Sequence, residues 1–131
     1  MQLHKKDLTI LYQVLRGTEG VLTLSEGRVR DALMKPLTEA TKQFEIDRNA
    51  IYAKFAQKGA IKKEGDKTTW KFDKKNVPKV NKEIQLLYAE QVELPVPDAK
   101  RLVEIIERTQ YKPAMGETEA IDAIIKKILE F

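Results

Sequence analysis

With 131 residues, one histidine and no cysteine, the chain is sized for a single domain, 1–131, and lacks disulfides, thiolate nucleophiles and cysteine-based zinc sites. Its 34% charged and 42% apolar residues suit a folded, surface-rich helical protein; no apolar run nears the roughly 20 residues of a membrane span, and Met1-Gln2-Leu3-His4-Lys5 lacks a signal peptide's apolar stretch, so a cytoplasmic protein without membrane contact is expected. The net charge of +4 is unevenly laid: residues 54–82 hold ten lysines against three acids, +7, while residues 1–53 carry +1 and residues 83–131 carry −4.

In chain order, residues 5–16 predict a short helix with Leu8, Leu11, Tyr12 and Leu15 on one side, closed by Gly17 in the left-handed conformation. Its expected place is over one end of the main helical pair. Thr18, Glu19 and Gly20 form a turn, and Thr23-Leu24-Ser25-Glu26 matches a capping box that starts a long helix near Leu24. Along that helix, to about residue 57, Val29, Leu33, Leu37, Ala40, Phe44, Ile51 and Phe55 recur on one face. Pro36 should kink the helix without breaking it, because the stripe keeps its phase from Leu33 to Leu37 and a broken chain has no reason to do so. The alternative starts a new helix at Pro36.

Gly59 is the expected stop. Ile61 to Phe72 then reads as two strands around a Gly65-Asp66 turn, with Thr68, Trp70 and Phe72 on the covered face. Val77, Val80, Ile84 and Leu87 mark a second helix, about 77–88, lying back along the first. Residues 91–96 alternate, with Val92, Leu94 and Val96 on one face, and are expected as a further strand beside 68–72, at an edge because of Pro95. Pro97 and Asp98 open a third helix bearing Leu102, Val103, Ile105 and Ile106, its end marked by Pro113. A last helix follows Gly116, with Glu117 and Glu119 at its start and Lys126 and Lys127 at its end, each suited to the helix dipole. The fold class is therefore mostly α with a small antiparallel β element, α+β: a long kinked helical hairpin with a short sheet over 24–96, then C-terminal helices over 97–131. Phe44, Ile51, Phe55, Trp70, Ile84 and Leu87 are the expected core.

The residues offer little chemistry. His4 sits where chain ends fray, which leaves no histidine for a triad, a metal cluster or a general-base pair. Ser25, the only serine, is accounted for by its capping position, and the pairs Glu104 with Glu107 and Glu117 with Glu119 lie on polar helix faces. The six glycines form no phosphate-binding loop. No catalytic residue, metal or cofactor is expected, and the chain is not expected to be an enzyme.

Arg48-Asn49-Ala50-Ile51-Tyr52-Ala53-Lys54-Phe55, the hairpin into Thr69-Trp70-Lys71-Phe72-Asp73, then Val80-Asn81-Lys82-Glu83-Ile84 and Glu90-Gln91-Val92-Glu93-Leu94 together resemble a set of small phage and prophage proteins of unassigned function. In those, a long helix ends in a segment with Arg and Tyr, a short strand follows, and an Asn-Lys-Glu helix leads to a Glu-Val-Glu-Leu strand. The likeness spans about residues 24–96. It implies a mobile-element origin and a non-catalytic role, and carries over no functional residues.

The leading expectation is a non-enzymatic protein–protein interaction module, phage-derived, acting in virion assembly or binding and inhibiting a host protein, in the host cytoplasm or the virion. Lys54, Lys58, Lys62, Lys63, Lys67 and Lys71 are the candidate anion- or partner-binding residues. Ile121, Ile124, Ile125, Ile128 and Phe131 are the candidate interface, broad enough to suggest a homo-oligomer in which the last helix covers the hairpin of another copy, or a different protein in its place, with the acidic C-terminal part complementing the basic stretch; the alternative is a last helix folded back inside its own domain. The alternative is a winged-helix-like nucleic-acid binder using the lysines of 54–82. Two features weigh against it: a recognition helix from Pro36 would be overlong, and all ten cations are lysine, which attracts phosphate but lacks arginine's bidentate base contact.

Overall fold

The computed structural model describes residues 1–56, 62–64 and 67–131, and its first element is one the sequence left unannounced. Gln2–His4 forms strand β1, antiparallel to Gln91–Glu93 with Leu3 opposite Val92. Leu3 and the Met1 side chain are buried, and the Met1 amino group donates to Glu93 Oε1 at 2.9 Å and to the Leu94 carbonyl at 2.8 Å. His4 is thus held in a strand, its Nδ1 3.1 Å from the Ala89 carbonyl oxygen, and not at a fraying end. A 3-10 turn, Lys5–Asp7, leads into helix α1, Leu8–Arg16.

In α1, Leu8, Ile10, Leu11, Val14 and Leu15 are all buried, so this helix lies at the centre of the core and does not merely cover an end. Gly17 is in the right-handed region, φ −67°, contrary to expectation. What it supplies is room: a Cβ there would overlap Thr109 Oγ1 and press on the Tyr111 backbone nitrogen. Thr109 Oγ1 donates to the Val14 carbonyl at 2.6 Å and the Gln110 amide to the Gly17 carbonyl at 2.9 Å. The left-handed glycine of this turn is Gly20, φ 81°.

The capping box forms as expected, with the Glu26 amide donating to Thr23 Oγ1 at 3.3 Å and the Thr23 amide to Glu26 Oε1 at 3.0 Å. From it helix α2, Leu24–Phe55, runs 32 residues, about 48 Å at 1.5 Å per residue, unbroken at Pro36. Leu33, Leu37 and Phe44 of the stripe are buried; Val29, Ala40, Ile51 and Phe55 are half-buried. Strands β2, Lys62–Glu64, and β3, Lys67–Thr69, pair antiparallel, and a bridge from Ala56 to Phe72 closes the hairpin onto the end of α2. The Gly59 stop and the Gly65-Asp66 turn lie outside the described residues.

Helix α3, Val77–Ala89, returns along α2: Lys54 meets Glu83 and Phe44 meets Tyr88, an antiparallel pairing that buries Val80, Ile84 and Leu87. That return explains the second sheet. Thirteen residues of helix carry the chain about 20 Å from the β2–β3 hairpin, so Gln91–Glu93, now β4, pairs with β1 and not with β3. Helix α4, Ala99–Glu107, is capped by Asp98, whose side chain accepts from the Arg101 amide at 3.1 Å. Helix α5, Glu117–Leu129, follows Gly116, φ 86°. The chain is mostly helical with small antiparallel β elements.

One buried cluster takes side chains from Met1 through Ile128, joining β1, α1, α2, α3, α4 and α5. The expected core is displaced accordingly. Phe44 and Leu87 belong to the cluster and Ile51 packs against it, whereas Ile84 is buried outside it. Phe55 and Trp70 are half-buried. Trp70 and Phe72 instead flank Tyr52, each with ring centroids 5.8 Å away.

Candidate partner-binding site

The basic stretch lies at the far end of the α2–α3 pair from the capping box. Lys54 is not free there: its Nζ donates to Glu83 Oε1 at 2.9 Å and sits 5.0 Å from the centre of the Phe55 ring. This pair ties the two helices and cancels the one acid on the exposed side of α3. Lys71 is exposed. Lys62, Lys63 and Lys67 are carried by β2 and β3, Lys62 opposite Thr69 and Lys63 opposite Thr68; Lys58 lies outside the described residues.

The more telling cations were not among the six candidates. Val80, Ile84 and Leu87 face α2, so at 100° per residue Lys79, Lys82 and Leu86 share the opposite side of α3. All three are exposed, Leu86 by 62%, and neither lysine has an ion pair among the described residues. With Phe55 and Glu83 they line an open depression of about 300 Å³. Lys74 and Lys75 are exposed just before the helix. The readable signal was spacing at i, i+3 and i+7, a second helical stripe on the polar face.

The candidate C-terminal interface divides. Ile124 and Ile128 are buried in the chain's own core, and Ile121 and Ile125 pack half-buried against it. Phe131 stays exposed, at 70%, with Leu129 at 60%. The last helix is therefore docked on its own chain.

Around the start of α2 the charges are fixed. Arg108 donates to Glu26 at 2.6 Å and Arg101 to Ser25 Oγ at 2.8 Å, joining α4 to the cap. The Thr23 amide and then Arg108 hold the Glu26 carboxyl below its ordinary range, because both stabilise the anion. Tyr111 donates to Glu117 at 2.9 Å, and that bond raises its phenol, since ionisation would set two anions together. Among the described residues no group of three or more His, Asp or Glu is placed to hold a metal ion, and no helix is long and apolar enough to cross a membrane.

No protein-family model, curated protein or solved structure matches the chain.

Proposed function

We propose that the chain is a non-enzymatic protein-interaction module of phage origin, acting in virion assembly or by binding a host protein. The observation that carries this reading is the outer face of α3, where exposed Leu86 stands beside the Phe55 ring with Lys79 and Lys82, neither in an ion pair among the described residues. An apolar side chain held out of a core among cations is suited to a protein surface, where its burial adds to affinity and the charges steer approach.

The second reading is nucleic-acid binding, favoured by the exposed Lys71, Lys74, Lys75, Lys79 and Lys82. Against it stand the continuity of α2 through Pro36, which leaves no recognition helix starting there, and the exposed Leu86 beside Phe55, which phosphate does not cover. Titration with duplex and single-stranded DNA at low and moderate salt separates the two, since phosphate-driven binding falls steeply with salt; no binding at low salt removes the second reading. For the first, capture from the native host by wild type and by the double variant Lys79→Glu, Leu86→Glu is compared. Proteins lost from the variant support it. The same proteins held by both place the binding surface elsewhere.

A further inference from the structure

We infer that the depression between the end of α2 and α3 receives an acidic amphipathic helix from another protein; this rests on the interaction-module reading and names the chemistry of the partner. Lys79 and Lys82 are three positions apart on α3, about 4.5 Å along the axis, and Leu86 is about 10 Å from Lys79. A helix alongside that carries acids three or four positions apart meets both ammonium groups, and an apolar residue one further turn on meets Leu86 and Phe55. Glu83, the one carboxylate lining the depression, is already paired with Lys54 at 2.9 Å, so it does not repel the incoming acids. Lys79 also lies in the first turn of α3, where the helix dipole adds positive potential, and Lys71, Lys74 and Lys75 extend the field.

The size of the depression, about 300 Å³, is at the lower end of small-molecule pockets and better matched to a docked side chain. A second copy of this chain is a poorer occupant. The exposed side of α5 carries Glu119 and Asp122, but the position one turn further on is Lys126, and the exposed apolar residue of that helix, Leu129, comes seven positions after Asp122, while Ile124 and Ile128 are buried in their own core.

The test uses fluorescence anisotropy of the full chain with three probes: a short helical peptide of Glu and Leu in this spacing, a peptide of the same composition with the spacing scrambled, and a short DNA duplex. The patterned peptide is expected to bind most tightly. Lys79→Glu with Lys82→Glu should weaken it by at least about tenfold, as expected from reversing two charges at a rim, and Leu86→Ser should weaken it at unchanged salt dependence. These three side chains are exposed, so the variants should keep the wild-type melting curve. Equal binding of the scrambled peptide, tighter binding of the duplex, or indifference to Leu86→Ser overturns the inference, as does a concentration-dependent dimer that excludes the peptide. Failure of the patterned peptide while host capture still depends on Lys79 and Leu86 discards the acidic helix and leaves the module standing; failure of both removes both.

Discussion

At the scale of single residues, two glycines of one turn do opposite work, and substitution separates them. Gly17 has an ordinary φ but no space, with Thr109 and Tyr111 packed onto it; Gly17→Ala must push the α4–α5 connection away and should cost about 1–3 kcal/mol, the range of overpacking. Gly20 has open space but φ 81°, so Gly20→Ala should cost about 1 kcal/mol from backbone strain alone. Urea denaturation of both variants checks this, and an undiminished Gly17→Ala midpoint would contradict the close approach. Glu26 makes a prediction in pH. Its folded pKa lies below the ordinary 4.5, so between the two values the unfolded chain binds more protons, and the stability this group contributes is complete above 4.5 and lost as pH falls through the folded value. Melting temperature followed from pH 6 downward should therefore fall more steeply for wild type than for Glu26→Gln, which keeps a capping side chain but has no proton to gain; parallel curves would mean that Arg108 and the Thr23 amide do not hold the anion.

At the scale of elements, the helices and the β2–β3 pairing were legible and the partner of β4 was not, for the same reason: helical period and a short hairpin are local and the partnership of distant strands is not. Leu33, Leu37 and Phe44 keep one phase through Pro36, and the helix runs through it. Val92 and Leu94 announced a strand, but its partner is Leu3, far away in the chain, and a strand of three residues with one buried side chain gives alternation too short to notice. Helix α1 was underread because Ile10 and Val14 broaden its apolar face beyond the single stripe of Leu8, Leu11 and Leu15. The candidate site was half legible. Counting lysines found the basic stretch, whereas the helical phase of Lys79, Lys82 and Leu86, set by which side of α3 buries Val80, Ile84 and Leu87, needed the direction of α2. Pro36 itself remains a local loss, since its nitrogen cannot donate to the Ala32 carbonyl. As Ala32 is exposed, water can satisfy that oxygen, and Pro36→Ala should raise stability by up to about 3 kcal/mol. A lowered melting temperature would show that a bend at Pro36 sets how Leu37 and Phe44 reach the core.

At the scale of the molecule, the central question is where the last helix belongs, because a broad isoleucine face serves equally well as an interface or as a core. Ile124 and Ile128 are 3% and 0% exposed within the cluster that also holds Leu8, Leu11 and Leu102, and Tyr111 and the Ala114 amide both donate to Glu117 in the first turn of α5. Burial of each such side chain is worth about 1.5–3 kcal/mol, and Ile121 and Ile125 add part of that again. Removing the helix also uncovers the parts of α1 and α4 on which it packs. The combined loss is comparable with the whole stability of a domain this size, about 5–15 kcal/mol. A chain ending at Met115 should consequently lose its cooperative thermal transition and its near-ultraviolet circular dichroism, while the full chain sediments as a monomer. The exposed Leu129 and Phe131 supply the control: Leu129→Ser with Phe131→Ser should leave both folding and sedimentation unchanged, since neither side chain is buried. If the chain ending at Met115 instead folds as a monomer and the full chain self-associates, α5 is an intermolecular element and the core lies within residues 1–115 alone.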